Sequence, residues 1–188
     1  MKKIAVFCGS SRGFDPCYME ASRALGKKLA EEKIELIYGG SRVGCMGAIA
    51  DAIIENGGKA IGVIPKKLMR VEIAHENLTE LHVVKTMHER KAMMAELADG
   101  FIAMPGGSGT LEEWFEVLTW AQIGYHQKPC SLLNVNNYYT PLLSLFDHMI
   151  EQGFVKEEYR PLIIMENDPA KLIHRLQNYQ PAYVHKWD

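Results

Sequence analysis

The chain has 188 residues, 47% of them hydrophobic and 23% charged, with a formal net charge of −2. That is enough apolar material for a buried core and excludes a disordered chain, and the near-neutral balance gives no global attraction for nucleic acid or an anionic membrane. No apolar run approaches the roughly 20 residues that span a bilayer, and the opening MKKIAVFCGSSRG turns to glycine and serine too early for a signal peptide, so a cytoplasmic protein is expected.

Strand-like and helix-like segments alternate from end to end. Ile4 to Cys8 predicts a first strand closed by glycine and serine, and residues 16–32 follow with helical spacing at Ala21, Ala24, Leu25 and Leu29. Leu36 to Tyr38 predicts a second strand ending in Gly39-Gly40-Ser41. A helix over 44–56 leads through Asn56-Gly57-Gly58 to a third strand, Ala60 to Ile64, stopped by Pro65. Leu81 to Lys85 predicts a fourth strand, 87–98 a helix, and Gly100 to Met104 a fifth strand. A helix over 111–125, a strand over 130–135 and a helix near 139–152 come next. A last strand near 162–165 and a helix from about 169 complete the chain. The least regular stretch, 66–79, is expected to be a lid or a wall of a site.

Short continuous apolar strands separated by helices predict a parallel sheet covered on both faces. The expected fold class is therefore α/β, a Rossmann-like doubly wound sheet. No repeat, low-complexity tract or linker divides it, so residues 1–188 are expected to form a single domain. Cys8, Cys17, Cys45 and Cys130 make no CxxC pair and stand at no zinc spacing from a histidine. They are expected to be small buried residues. His75, His82 and His88 suit no single helical face, and no metal site is expected.

Ligands of open α/β sheets bind at the carboxyl edge of the strands, where each strand-to-helix loop lies. Four features belong there: Cys8-Gly9-Ser10-Ser11, Gly39-Gly40-Ser41-Arg42, Arg90-Lys91, and Gly106 to Thr110. The last loop can aim backbone N–H groups at an anion beside the positive end of the following helix. No Lys-Ser or Lys-Thr follows its glycines and no GxGxxG is present, which favours a phosphate on a small nucleotide over a P-loop or dinucleotide site.

A plainer reading stands beside this one. Thr110 and Glu113 have the spacing of a capping box, worth about 1 kcal/mol and a sufficient structural reason for both. Glu112 in a helix's first turn simply suits the dipole. Leu111, Trp114, Phe115, Leu118 and Ala121 form an apolar stripe expected in the core, with Glu113, Glu116 and Thr119 off its centre. Arg90 and Lys91, early in their helix, oppose its dipole. That is either a solvated surface pair or a local violation that marks function. With both helix starts at the carboxyl edge, Arg90 and Glu113 are placed to face one another across a ligand.

On these residues the chain resembles the LOG (Lonely Guy) family, the cytokinin riboside 5′-monophosphate phosphoribohydrolases often mislabelled as lysine decarboxylases. Residues 87–129, MHERKAMMAELADGFIAMPGGSGTLEEWFEVLTWAQIGYHQKP, look like its signature region. The core pattern PGGxGTxxE falls on Pro105 to Glu113, and the upstream Arg-Lys on Arg90 and Lys91. VFCGSS, YGGSRVGCMGAIADA and LLNVNNYY extend the resemblance over nearly the whole chain.

The resemblance implies a homodimeric, cofactor-free, Rossmann-like enzyme with no nucleic-acid or membrane partner. Its substrate would be a purine nucleoside 5′-monophosphate of adenosine type. Hydrolysis of the N-glycosidic bond would release a free base, such as N6-prenylated adenine, and ribose 5-phosphate. The family's catalytic arginine falls on Arg90 and its catalytic glutamate on Glu113. Substrate contacts fall on Glu72, Lys91, Gly107, Ser108, Gly109, Thr110, Leu111, Glu112 and Thr119. The variable position of PGGxGT, often aromatic in relatives, is Ser108 here.

The chemistry suits these residues. Glycosidic cleavage passes through an oxocarbenium-like ribose, which a carboxylate such as Glu113 stabilises. Arg90 stays protonated, so it orients Glu113 or holds phosphate rather than acting as an acid. Two other classes compete. One is a non-catalytic binder of a nucleotide-like cofactor, of the molybdenum-cofactor carrier type. The other is a pyridoxal-phosphate decarboxylase, which needs a Schiff-base lysine that no residue here evidently supplies.

Overall fold

The computed structural model describes residues 1–69 and 73–181. The strands are short and buried on both sides, so alternate residues of each strand feed two separate cores. In β1 (Lys3–Phe7), Ile4 and Val6 join one cluster, while Ala5 and Phe7 join the other. Period-two alternation with both faces apolar is what a helix-covered parallel sheet demands.

The remaining strands are β2 (Glu35–Tyr38), β3 (Ala60–Pro65), β4 (Glu80–Val84), β5 (Gly100–Ala103), β6 (Cys130–Leu133) and β7 (Ile163–Glu166). All seven form one parallel sheet in the order β4-β3-β2-β1-β5-β6-β7. Helices α1 (Cys17–Glu31), α2 (Gly44–Glu55) and α6 (Pro169–Gln177) cover one face through Leu25, Leu29, Ile49, Ile53, Leu172 and Leu176. Helices α3 (Met87–Leu97), α4 (Ser108–Gln122) and α5 (Thr140–Glu151) cover the other through Met94, Trp114, Leu118 and Phe146. The fold is the expected Rossmann-like doubly wound α/β sheet. Of the α4 stripe, Trp114 and Leu118 are buried in the core, while Leu111, Phe115 and Ala121 pack half-buried against it. None of the described helices is long and apolar enough to cross a membrane.

Strand order reverses between β1 and β5, and this switch point fixes where a ligand can enter. The loops leaving the two strands lie side by side, tied where the Gly9 N–H donates to the Pro105 carbonyl at 3.2 Å. Within the irregular stretch, residues 73–75 fold back onto the loop after β2. The Arg42 N–H donates to the Ile73 carbonyl at 3.1 Å, and the His75 N–H to the Gly40 carbonyl at 2.9 Å. His75 is a structural residue: its ring lies 2.9 Å from Asp51 and accepts from the Asn77 N–H.

Candidate active site

Helix α4 starts three residues earlier than its sequence pattern suggests. Gly107 is its N-cap, extended at φ −86°, with no side-chain cap bond, so Ser108 rather than Leu111 opens the helix. The expected capping box of Thr110 and Glu113 is therefore absent. The hydroxyl-bearing residue lies inside the first turn, where Thr110 is buried against Gly106. The physical reason is the glycine pair: Gly106 fits against Gly9 and Thr110, and the chain turns into the helix immediately afterwards.

A reciprocal cap occurs one helix earlier. At the start of α3 the Thr86 hydroxyl accepts from the Glu89 N–H at 3.1 Å, and the Glu89 carboxylate accepts from the Lys85 N–H at 2.7 Å. This arrangement holds the first turn of α3 despite the two cations that follow.

Those cations part company. Arg90 is only 6% exposed, which excludes the solvated surface reading. Its Nη2 lies 3.8 Å from Glu113 Oε1, an ion pair between the starts of α3 and α4. Arg90 Nε is buried with no hydrogen-bond partner among the described residues. A buried guanidinium with an open donor is costly in a merely structural setting. Lys91 turns instead to α4, pairing with Glu112 and, at 3.0 Å, with Glu116. Burial opposes its charge, but the two carboxylates outweigh this and hold its pKa above the ordinary lysine value.

A cavity of about 300 Å³ collects these groups. Its walls include Arg90, Glu112, Glu113, Gly107, Ser108, Gly109 and Thr110, with Gly9 and Ser10 from the β1 loop. Met46, Met87, Met94 and Leu68 supply an apolar side. Leu68 thus makes part of the 66–79 stretch a wall of the site. Cys8 also lines the cavity, but burial, with Cys45 and Glu113 adding to it, pushes its thiol pKa well up. A protonated thiol is no nucleophile.

The other expected site residues lie elsewhere. Leu111 is half-buried against the α4-side core. Thr119 is exposed on α4, six positions past Glu113 and so about 9 Å further along the axis. Neither these two nor Lys91 is among the cavity's walls. Glu72 lies outside the described residues. Two contributors carry roles that the sequence alone does not show. Gly39 seats Arg90, since a Cβ there would lie 2.0 Å from Nη2. The Tyr138 hydroxyl donates to the Gly106 carbonyl at 2.7 Å. Gly39 belongs to a visible glycine loop, whereas Tyr138 carries no local signal.

Comparison with known proteins places this geometry. A family model described as "Possible lysine decarboxylase" matches residues 46–176. A cytokinin riboside 5′-monophosphate phosphoribohydrolase of Arabidopsis thaliana is 48% identical over 182 residues, 97% of this chain and 84% of its own. One from Rhodococcoides fascians is 50% identical over 168 residues, 89% of this chain and 85% of its own. The chain belongs to the LOG family.

Solved structures extend the LOG fold to more distant proteins. The molybdenum cofactor binding protein of Rippkaea orientalis matches at a TM-score of 0.72 and 23% identity, over 94% of this chain and 96% of its own. At that identity the likeness shows the fold alone. The older decarboxylase description does not suit the LOG site seen here. No lysine lines the described walls of the cavity, so nothing there offers pyridoxal phosphate an internal Schiff base.

Proposed function

We propose that this chain hydrolyses the N-glycosidic bond of adenosine-type 5′-monophosphates, N6-substituted ones among them, releasing the free base and ribose 5-phosphate. The observation that carries the reading is the buried Arg90–Glu113 pair, 3.8 Å apart in the cavity into which the α4 N-terminus opens. The α4 N-terminus and the Gly107 to Thr110 backbone take the 5′-phosphate. Binding energy gained there, away from the breaking bond, positions the ribose. The apolar side formed by Met46, Met87, Met94 and Leu68 receives the base.

Water attacks the anomeric carbon as its bond to the purine nitrogen breaks, and the electron pair leaves with the base. The base takes up one proton while the attacking water gives one up, so water supplies both the new hydroxyl and, net, the proton on the free base. The Glu113 carboxylate stabilises the oxocarbenium charge and orients that water. Arg90 fixes the carboxylate through Nη2. Glu112, held by Lys91, forms the rim of the phosphate seat.

Incubation with AMP, N6-isopentenyl-AMP and the matching nucleosides tests this reading. Free base and ribose 5-phosphate are expected from the monophosphates, with the nucleosides cleaved about 10²-fold less efficiently for want of the phosphate anchor. No base release from any purine monophosphate would sink it.

Residues 1–188 act in this reading as one catalytic domain, in a homodimer. Phe115, Trp120, Met93 and Leu97 remain only partly buried at the edge of the α3 and α4 core, apolar surface that a second copy would cover. Light scattering coupled to size exclusion reads the mass, and a monomer at working concentration would overturn the dimer.

A further inference from the structure

Between β6 and α5 the segment Asn134-Val135-Asn136-Asn137-Tyr138-Tyr139 makes a tight excursion. Asn136 and Asn137 both have left-handed backbones, φ 51° and 57°, a conformation that asparagine tolerates better than most side chains. Asn134 closes the excursion, its Oδ1 accepting from the Tyr139 N–H at 2.7 Å. The result is two consecutive tyrosines whose hydroxyls both reach the chain that leaves β5. Tyr139, buried, donates to the Met104 carbonyl at 2.5 Å, and Tyr138, 42% exposed, donates to the Gly106 carbonyl at 2.7 Å. The Tyr138 ring is held edge-on by Tyr18 at 5.9 Å and by Tyr139 at 5.2 Å.

The peptide that Tyr138 grips joins Gly106 to Gly107. In a trans peptide the carbonyl and the following N–H point to opposite sides, and no peptide of the described chain is cis. Two adjacent glycines leave this plane freer to rotate than any other in the loop. Fixing the Gly106 carbonyl toward Tyr138 fixes the Gly107 N–H on the other side. Gly107 lines both the catalytic cavity and a neighbouring chamber of about 340 Å³ walled by Tyr18 and Tyr138.

We infer that Tyr138 is a positioning residue for substrate: its hydroxyl sets the Gly106–Gly107 peptide so that the Gly107 N–H is presented to the 5′-phosphate before the ligand arrives. This rests on the phosphate seat proposed above. Preorganised donors avoid the cost of ordering the loop on binding.

The test is Tyr138→Phe, which keeps the ring and its edge contacts and removes only the hydroxyl. Steady-state kinetics with AMP or the best monophosphate, and calorimetric binding of ribose 5-phosphate, are compared with wild type. KM and the ribose 5-phosphate Kd are each expected to rise about five- to tenfold, the effect of one hydrogen bond. The turnover number, the melting temperature and kcat/KM on the unphosphorylated nucleoside should hold. Unchanged KM and Kd overturn the inference, as does an equal loss on phosphorylated and unphosphorylated substrates. Failure of the hydrolase reading is separable. In that case wild type releases no base from any nucleotide, while the variant still binds ribose 5-phosphate more weakly than wild type.

Discussion

Arg90 Nη2 lies 3.8 Å from Glu113 Oε1, and the absence of a side chain at Gly39 is what lets it sit there. The guanidinium comes from the first turns of α3, where a cation opposes the helix dipole. It is buried beneath the loop after β2, where a free charge is costly. A neutral core residue would avoid both costs, so the pair is the natural place to look for a role in the proposed chemistry. The predictions below separate that role from stability.

Glu113→Gln keeps the side-chain shape and an oxygen facing Arg90 but removes the charge. The α4 N-cap takes no side-chain bond, so loss of a cap does not enter. Turnover on the monophosphate is expected to fall about 10²- to 10³-fold, with KM little changed. Circular dichroism melting checks that the variant folds, and a folded variant with full turnover would remove Glu113 from the chemistry.

Gly39→Ala tests the pair from behind. The new Cβ meets Arg90 Nη2 at 2.0 Å and Met46 Sδ at 3.0 Å, both on flexible side chains, and the Gly39 backbone is not left-handed. The fold should survive by moving Arg90. Displacement by about 1 Å is expected to cost roughly 10²-fold in kcat/KM. Base-release kinetics measure it; wild-type activity would show that the position of Arg90 is not critical.

The loop glycines divide by what a methyl would meet. At Gly106 it meets Thr110 Oγ1 at 2.2 Å and the Gly9 nitrogen at 2.8 Å, so Gly106→Ala should lower the melting temperature. At Gly109 it meets nothing within 4 Å, and alanine favours a helix by about 1 kcal/mol. Gly109→Ala is therefore expected to melt higher yet bind ribose 5-phosphate more weakly, because the methyl occupies space the phosphate needs. Higher stability with unchanged binding would move the phosphate away from this helix turn.

Asp99 ties the first strand to the loop before β5. Its Oδ2 accepts from the N–H groups of Lys2, at 2.6 Å, and Lys3, at 3.0 Å. Desolvation raises its pKa, but these backbone donors outweigh that and hold it below the ordinary 3.8. A depressed folded pKa gives stability that is full above the unfolded value and fades as pH falls through the folded one. Asp99→Asn should cost about 1 kcal/mol at neutral pH, discounted for exposure, and nearly nothing once wild type is protonated. Urea unfolding at neutral pH and again well below pH 3.8, beneath the depressed folded value, reads the difference; a gap that persists once Asp99 is protonated in the folded state would show that charge is not its source.

The alternation of apolar runs with helical stretches settles the fold class because it reports burial, and burial on two faces allows few arrangements. Leu36, Ile37 and Tyr38 lie where their pattern puts them, and so do the glycine loops at the carboxyl edge. The Arg90 and Glu113 pairing was legible for the same reason, since parallel topology brings every strand-to-helix loop to one edge. Element ends were less so. Helix α4 begins at Ser108 because the Gly106–Gly107 packing against Gly9 sets the entry, a contact nearly 100 positions away in sequence.

The same limit governs the finer site. Arg90 and Lys91 are adjacent in sequence, yet one is buried against Glu113 and the other drawn to Glu112 and Glu116 on α4. The sequence pattern offered a cap at Thr110, and the backbone path instead places one at Thr86. Local pattern by itself determined the sheet, its helices and the edge at which the glycine loops gather. Only the tertiary structure decided which cation meets which carboxylate and which tyrosine grips the glycine loop. Those choices rest on angstrom-scale contacts between segments distant in the chain, about which periodicity and composition carry no information.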